Sequence, residues 1–229
     1  MLSDKQLNFY KWFNIFMEKE LYLNCGESQL FKTHRRFLRY ICDTFDIRTI
    51  AADFDLTMMT MHSGGFIDPQ SDRGRLFLKS LSREFNILGA VAMEIGLSIN
   101  VVTFSDPKLI PSEKIETNIS GKSMINLCLQ NSNAQFKVSD YYCFYPRLWQ
   151  ERSEYSNLGL DAPMPPFKAF HLRKVCENEN LSADQVLFID DDLYNCANAL
   201  KDGYVVLHVN GRSGYSINGL SVDFYKDYL

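Results

Sequence analysis

Apolar residues in the first 45 positions recur at three- and four-residue steps, which is the period of an amphipathic helix. In the first stretch they are Leu7, Tyr10, Phe13, Phe16 and Met17. Residues 26–28 (Gly-Glu-Ser) interrupt the pattern, which then resumes through residues 31–45. We therefore predict an N-terminal helical extension of two helices, residues 1–45. Because such stripes usually face a core, we expect the helices to dock on the rest of the chain; binding a protein partner or self-association is the alternative.

From residue 47 the pattern changes to short, almost continuous apolar runs separated by helical stretches. The runs cover residues 50–52, 99–102, 186–189 and 204–209, with an edge strand within residues 136–144. The helical stretches cover residues 73–95, 123–130, 167–179 and 195–201. Continuous apolar strands that alternate with helices are typical of a parallel sheet covered on both faces. Residues 46–229 are therefore predicted to form an α/β domain with a three-layer, Rossmann-like doubly wound parallel sheet.

Composition narrows the class of protein without naming a function. The 229 residues are 46% hydrophobic and 23% charged, and the net charge of −4 gives no reason to expect nucleic acid binding. The six cysteines are scattered without a C-x-x-C pair, so we expect reduced thiols and no zinc site of common spacing. No apolar stretch has the length of a signal peptide or a membrane span. These features predict a cytoplasmic protein that does not enter a membrane.

Polar side chains follow three of the predicted strands at the points where the strands end. Asp53 and Asp55 come after the first run, Thr103 after the second, and residues 190–192 (Asp-Asp-Asp) after the third. Lys168 follows a proline-rich turn and offers a point charge. Acidic residues of this kind often lie in solvated turns. In a doubly wound sheet, however, the carboxyl ends of the strands form the ligand-binding edge. Carboxylates gathered there repel one another unless a cation such as Mg²⁺ compensates them.

Taken in order, these residues resemble the motifs of the haloacid dehalogenase (HAD) superfamily of phosphotransferases. The chain carries D-x-D-x-T at residues 53–57, a strand ending in Thr103, then Lys168, and a strand ending in Asp-Asp at residues 190–191. The first and last motifs are the specific ones, and the resemblance covers residues 48–211. It implies a HAD-like core for the predicted α/β domain and leaves the N-terminal extension outside.

The resemblance also implies the chemistry. Asp53 would attack phosphorus and form an aspartyl-phosphate, while Asp55 would protonate the leaving oxygen and then activate water. Thr103 and Lys168 would bind the phosphoryl oxygens. An acid at position 55 favours phosphoryl transfer over dehalogenation, because a halide leaves without a proton whereas an alkoxide needs one.

A Mg²⁺ site is the second implication of the resemblance. Asp53, the main-chain carbonyl of Asp55 and Asp191 would hold the ion, with Asp190 as a further ligand or as the group that orients one. Among the three adjacent acids, Asp192 is the one least expected to meet the metal.

Loops around the site supply further candidates. His62, in the His-Ser-Gly-Gly segment after the nucleophile, is a candidate substrate contact or an exposed loop histidine. Arg147 is a candidate contact for an anionic substrate, and His171 is more simply a packed histidine. The insertions are too short for a helical cap domain, so the site is predicted to be capless, covered only by residues 58–65 and 145–166.

The sequence thus predicts a Mg²⁺-dependent phosphatase that acts on a phosphomonoester of unknown identity. An open site suits bulky substrates such as phosphoproteins or nucleic-acid ends, and it leaves room for small metabolites in an oligomer. Two alternatives remain: a catalytically idle HAD-like interaction protein, and a phosphotransferase or nucleotidase that acts on a small metabolite. The intact acidic residues and lysine count against the idle protein.

Overall fold

The computed structural model describes residues 2–20, 26–211, 213–223 and 226. Its helices are α1 (Asp4–Glu20), α2 (Glu27–Phe45), α3 (Asp72–Phe77), α4 (Arg83–Glu94), α5 (Gly121–Asn131), α6 (Arg152–Tyr155), α7 (Ala169–Glu179) and α8 (Leu193–Lys201). Its strands are β1 (Thr49–Ala52), β2 (Phe66–Ile67), β3 (Ser98–Thr103), β4 (Ile119–Ser120), β5 (Asp140–Cys143), β6 (Val186–Asp190), β7 (Val205–Val209) and β8 (Leu220–Ser221). Every predicted strand of the large sheet is present.

A six-stranded sheet of order β5-β3-β1-β6-β7-β8 forms the middle layer, with helices packed around it. The strands from β5 to β7 run parallel, and β8 pairs antiparallel with β7. The three-layer, doubly wound α/β architecture predicted from the sequence is thereby confirmed. From β1 the chain winds outward to β3 and β5, then crosses to β6 and β7 on the other side. The winding reverses between β1 and β6, where such sheets open a crevice at the strands' carboxyl ends.

Strands β1 and β6 are buried along their length, which explains why they appear in the sequence as unbroken apolar runs. All four residues of β1 and all five of β6 are buried. In β6 only the last residue, Asp190, is polar. A carboxylate at the end of a fully buried strand is therefore held at a fixed point of the sheet edge, away from bulk water.

The N-terminal helices dock on the sheet layer, as the stripe of apolar residues predicted. Phe9 and Phe13 of α1 are buried in the same hydrophobic core as the strands. The Gln6 amide donates hydrogen bonds to the main-chain oxygens of Leu200 (3.0 Å) and Tyr204 (2.8 Å), next to β7. Docking on the core is thus confirmed, while the division of the chain at residue 45 stays a prediction.

The segment between β1 and β3 differs from the prediction. The continuous periodicity of residues 73–95 predicted one helix, but the structure has two, α3 and α4. The chain breaks because Ser82 acts as an N-cap: its hydroxyl accepts a hydrogen bond from the Phe85 N–H (3.3 Å) and donates one to the Tyr215 main-chain oxygen (2.5 Å). The two-residue strands β2 and β4, which pair antiparallel, are too short to show a period in the sequence.

Two further expectations from the sequence concern membrane-spanning helices and the oxidation state of the cysteines. No helix among the described residues has both the length and the hydropathy needed to cross a membrane. The cysteines within the described ranges are free thiols, as expected; Cys25 lies outside those ranges.

The docked helices yield a stability prediction centred on Phe37 of α2. Its side chain is fully buried, and its ring lies 5.7 to 6.1 Å from those of Trp12, Phe13 and Phe16. Phe37→Ala should lower the free energy of unfolding by about 3–5 kcal/mol, because it leaves a cavity. Urea denaturation measures the change, with Ile15→Ala, a half-exposed residue of α1, as the control. An N-terminal region that unfolds in its own transition, leaving the main one unmoved, would contradict the docking.

Candidate active site

The candidate site lies where the winding of the sheet reverses. Asp53 directly follows β1, and its N–H donates to the Ile189 main-chain oxygen of β6 (2.9 Å), which ties the two strand ends together. A cavity of about 360 Å³ opens above them. Its lining includes all the predicted site residues except Arg147: Asp53, Asp55, His62, Thr103, Lys168, Asp190 and Asp191. The fold therefore gathers at one place residues that are up to 138 positions apart (53 to 191) in the sequence.

Three carboxylates form the floor of this cavity. Asp53, Asp190 and Asp191 each offer an oxygen atom, and these atoms lie within 4.8 Å of one another. Burial, and then the nearby Asp53 carboxylate, raises the pKa of Asp190 well above its usual range. The same two causes raise the pKa of Asp191 to about 6. Clustered oxygen donors with uncompensated negative charge are what a hard divalent cation such as Mg²⁺ requires, so the residues fit that ion.

The three adjacent acids 190–192 have different roles because the chain turns sharply from β6 into α8. Asp190 is fixed by the Asp192 N–H (2.7 Å) and the Asn195 side-chain amide (3.1 Å). The Asp192 carboxylate caps α8 by accepting from the Tyr194 N–H (2.7 Å). Only Asp190 and Asp191 therefore belong to the carboxylate cluster.

Asp191 has its own supports. The Thr57 hydroxyl donates to its Oδ1 (3.3 Å), and the His208 ring nitrogen Nε2 lies 3.0 Å from its main-chain oxygen. Thr57 is the last residue of the D-x-D-x-T motif, and its side chain thus connects the two halves of the cluster. The sequence singled out Thr57 only as part of that motif, without a role.

Lys168 is the cation that the fold places against the nucleophile candidate. Its side chain is 2% exposed, and its Nζ donates to Asp53 Oδ1 (2.7 Å) and to the main-chain oxygen of Val102 in β3 (2.8 Å). Nζ also lies 4.0 Å from the centre of the Phe104 ring. A buried ammonium that binds one oxygen of Asp53 leaves the second oxygen of that carboxylate, Oδ2, for other partners.

Two residues in a strained backbone conformation sit beside the site residues. Leu56 (φ +55°) follows Asp55, and Phe167 (φ +59°) precedes Lys168. The left-handed region costs a non-glycine residue about 1–2 kcal/mol, and strain of this kind concentrates at functional sites. Both residues lie where the chain must turn abruptly to bring a charged side chain into the cavity.

Asp55 is held apart from the carboxylate cluster. The Ser63 hydroxyl donates to its Oδ2 (2.6 Å) and itself accepts from the Gly65 N–H (2.9 Å), which fixes the hydroxyl's orientation. Burial raises the pKa of Asp55, while the Ser63 hydrogen bond opposes the rise. A buried carboxyl that is favoured in its protonated form can donate a proton. The carboxylate of Asp55 is thus not part of the metal cluster, and the metal contact of its carbonyl stays a prediction.

His62 lines the cavity but makes no ion pair with Asp55. Its Nδ1 lies 3.3 Å from Asp55 Oδ2 and accepts a hydrogen bond from the Gly64 N–H (2.8 Å). A nitrogen that accepts this bond carries no proton, so it has none to donate to the carboxylate. The ring is mostly exposed at the cavity mouth, in a position to contact a bound ligand.

Thr103 and His171 flank the site in different ways. Thr103 ends β3, lines the cavity, and accepts a hydrogen bond from the Ser105 N–H through its hydroxyl (3.3 Å). His171 is fully buried, and its Nε2 donates to the Phe144 main-chain oxygen (2.8 Å). Burial, together with the charge of Lys168, lowers the pKa of His171 to about 3. His171 is therefore a neutral packing residue.

Arg147 does not line the cavity. It lies in the turn Pro146–Leu148, where Pro146 and Trp149 are buried and Arg147 points to solvent. The aromatic ring of Trp149 anchors the turn, and the charged side chain is left outside. Its contact with a substrate stays a prediction, without support from its position.

The apolar part of the cavity lining consists of Phe104, Leu109 and Tyr145. Tyr145 lies in the loop predicted to cover the site, whereas the sequence analysis missed Phe104 and Leu109. Phe104 could have been found, because it follows Thr103 at a strand end. Leu109 carried no signal, since nothing in residues 104–120 marks that segment as a wall of the site. The predicted coverage by residues 58–65 and 145–166 is therefore incomplete without residues 104–109.

Comparison with known proteins leaves the chain without a family assignment. No family model matches it, and no curated protein does. The solved structures that match the chain include three at low identity. A hypothetical protein from Xanthomonas campestris is 16% identical over 71% of this chain, with a TM-score of 0.34; the match spans 63% of that protein's length.

The other two structures are similarly distant. An uncharacterized protein from Corynebacterium glutamicum is 13% identical over 77% of this chain and 98% of its own, with a TM-score of 0.36. A predicted HAD-like family hydrolase from Porphyromonas gingivalis is 12% identical over 71% and 90%, with a TM-score of 0.33. Inference about function therefore starts from the site itself.

The carboxylate cluster yields a prediction about Asp191. Because folding raises the pKa of Asp191 from 3.8 to about 6, its ionisation weakens the metal-free fold as the pH rises from about 4 to about 6, and the loss persists at higher pH. Asp191→Asn should therefore raise the melting temperature of the metal-free protein at pH 7.5, with a smaller gain near pH 4.5.

Thermal melts with and without Mg²⁺ complete this test. Mg²⁺ should stabilise the wild-type protein and have little effect on Asp191→Asn, because binding to the folded state adds stability only where the ligands are intact. The exposed Asp161→Asn serves as the control. Equal stabilisation of both proteins by Mg²⁺ would remove Asp191 from the metal site.

Proposed function

We propose that this protein is a Mg²⁺-dependent phosphomonoester hydrolase that uses Asp53 as a covalent nucleophile. The observation that carries the proposal is the setting of Asp53. One of its oxygens accepts from the buried Lys168, while its carboxylate clusters with Asp190 and Asp191 at the cavity floor. The resemblance of the sequence to HAD motifs supports the same reading.

Substrate binding follows from the charges of the site. A bound Mg²⁺ would neutralise the clustered carboxylates and attract a phosphoryl oxygen. Lys168 would bind a second phosphoryl oxygen, and the Thr103 hydroxyl would donate to a third. In the absence of a ligand, the Lys168 ammonium stays paired with Asp53, which keeps a buried charge compensated.

The first chemical step is the attack of Asp53 on phosphorus. With Oδ1 held by Lys168, Oδ2 forms the new P–O bond as the bond to the ester oxygen breaks. Asp55, which is favoured in its protonated form by burial, transfers its proton to the departing oxygen. The products are an alcohol and an aspartyl-phosphate on Asp53.

Water completes the reaction in the second step. The Asp55 carboxylate accepts a proton from water as the water oxygen attacks phosphorus, and the bond to Asp53 breaks. Inorganic phosphate leaves and both carboxyl groups return to their starting state. Ser63 is the positioning residue for Asp55, since its hydroxyl binds one carboxyl oxygen and is itself fixed by the Gly65 N–H.

A catalytically idle interaction protein is the less favoured alternative. Burying Asp190 completely beside Asp53 and Asp191 is costly for a metal-free scaffold, because each carboxylate loses solvation and repels its neighbours. A structure with no use for a cation would be more stable with amide or apolar side chains at these positions.

The proposal is tested by comparing how much Asp55→Asn slows the reaction of two substrates that differ in their leaving group. Asp55→Asn should slow the release of an alkyl leaving group by about 10²- to 10⁴-fold, the usual contribution of a general acid. Release of 4-nitrophenol, which departs without a proton, should slow much less. Single-turnover kinetics with Mg²⁺ isolate this first step.

Two controls accompany these measurements. Asp53→Asn should release neither leaving group, and a chelator should abolish turnover by the wild-type protein. If Asp55→Asn slowed the reaction of both substrates equally, Asp55 would not be the acid. If Asp53→Asn turned over substrate at the wild-type rate, Asp53 would not be the nucleophile.

A further inference from the structure

The charges around the cavity are strongly unbalanced. Five carboxylates line it: Asp53, Asp55, Asp190, Asp191 and Asp192. Among the described residues, Lys168 is the one lysine or arginine in the lining, and its Nζ is already bound to Asp53 and to the Val102 oxygen. A bound divalent cation and Lys168 together carry fewer positive charges than the carboxylates of the lining, so no positive charge is left over once a phosphate group binds. A second anionic group on the substrate would therefore meet uncompensated carboxylates.

Cations near the cavity mouth are engaged elsewhere. Arg73 donates to the main-chain oxygen of His62 (3.0 Å) on the outer side of that loop, and it does not line the cavity. Lys108 pairs with Glu154, and its Nζ lies 3.8 Å from the centre of the Trp149 ring. Neither side chain forms a second anion site next to the phosphate position.

The same cavity also has an apolar surface. This surface, which we call the apolar wall, consists of the side chains of Phe104, Leu109 and Tyr145. The Phe104 and Tyr145 rings meet edge to face at 5.9 Å. Since the Phe104 ring is 4.0 Å from Lys168 Nζ, the apolar surface begins one side chain away from the nucleophile. It therefore lies in the same cavity as the nucleophile, beside the position that a bound phosphate ester would take.

The apolar wall is built to hold its shape. The buried Asp106 carboxylate accepts from the Trp149 indole N–H (2.7 Å), the Tyr145 N–H (3.1 Å) and the Lys108 N–H (2.9 Å), which fastens two loops together. On the opposite side, Gly65 has a φ of +93°, which favours glycine, and a Cβ atom there would come within 2.8 Å of Leu109 Cδ1. A wall fixed before binding loses little entropy when a ligand arrives.

We infer that the substrate is a monophosphate ester whose leaving group is uncharged and apolar or aromatic next to the ester oxygen; this inference rests on the proposed function. The acidic floor excludes bisphosphates and phosphorylated acids, and the apolar wall favours a hydrocarbon or ring at the leaving-group position. The cavity of about 360 Å³ accommodates a small molecule of this kind.

The predicted preference for an uncharged leaving group is tested with two matched esters. 4-(Carboxymethyl)phenyl phosphate and its neutral amide have the same size and nearly the same leaving-group acidity, and they differ by one negative charge. With Mg²⁺, kcat/KM for the acid should be lower than for the amide by about tenfold or more, and added salt should narrow the gap.

The predicted preference for an apolar leaving group is tested with 2-naphthyl phosphate and phenyl phosphate. The wild-type protein should prefer the larger ring, mainly through KM. Leu109→Ala and Tyr145→Ala should each reduce that preference by about fivefold, because apolar contact area is lost. Leu76→Ala, which removes an exposed leucine of α3 outside the cavity, should leave the preference unchanged.

The outcomes separate this inference from the proposed function. Turnover of the carboxylated ester equal to or faster than that of the amide would overturn the inference, and so would an unchanged ring preference in both wall variants. In either case Mg²⁺-dependent hydrolysis that Asp53→Asn abolishes would leave the proposed function standing. Absence of any such hydrolysis, with all four esters, would overturn both.

Discussion

Mutual repulsion of the carboxylates at the junction of β1 and β6 is the constraint on which the rest of the site depends. Asp53, Asp190 and Asp191 are held within 4.8 Å of one another in a place largely closed to water, where like charges interact strongly. The fold opposes this repulsion with a buried ammonium on Asp53 and with main-chain and side-chain N–H groups on Asp190. The remaining excess of negative charge is the reason why we propose that the site binds a divalent cation.

The sheet makes this arrangement possible because it fixes the chain on both sides of the junction. β1 and β6 are buried along their whole length and paired in register, so Asp53 and Asp190 cannot move apart without breaking the sheet. Next to the site residues, Leu56 and Phe167 have a strained, left-handed backbone conformation. A rigid floor of this kind would keep the groups of the proposed reaction in position before a substrate arrives.

The sequence predicted the parts of this picture that depend on periodicity and on strand ends. Continuous apolar runs indicated the buried parallel strands, and the residues that follow those runs, such as Asp53 and Thr103, do line the cavity. Local patterns could not show that a serine would split one helix into α3 and α4, because apolar periodicity continues through Ser82. Nor could they show that Leu109 faces the site while Arg147 faces solvent, since both depend on how loops pack around Trp149 and Asp106.

The most direct test of the account is the detection of a phosphoryl group on Asp53. In Asp55→Asn, 4-nitrophenyl phosphate should still phosphorylate the protein, because its leaving group needs no acid, whereas hydrolysis of the adduct should lack its base. Intact-protein mass spectrometry after acid quenching should then show one added phosphoryl group per chain, mapped to Asp53 and absent when Asp53 is also changed to Asn. Release of 4-nitrophenol without any adduct, or an adduct on another residue, would contradict the account.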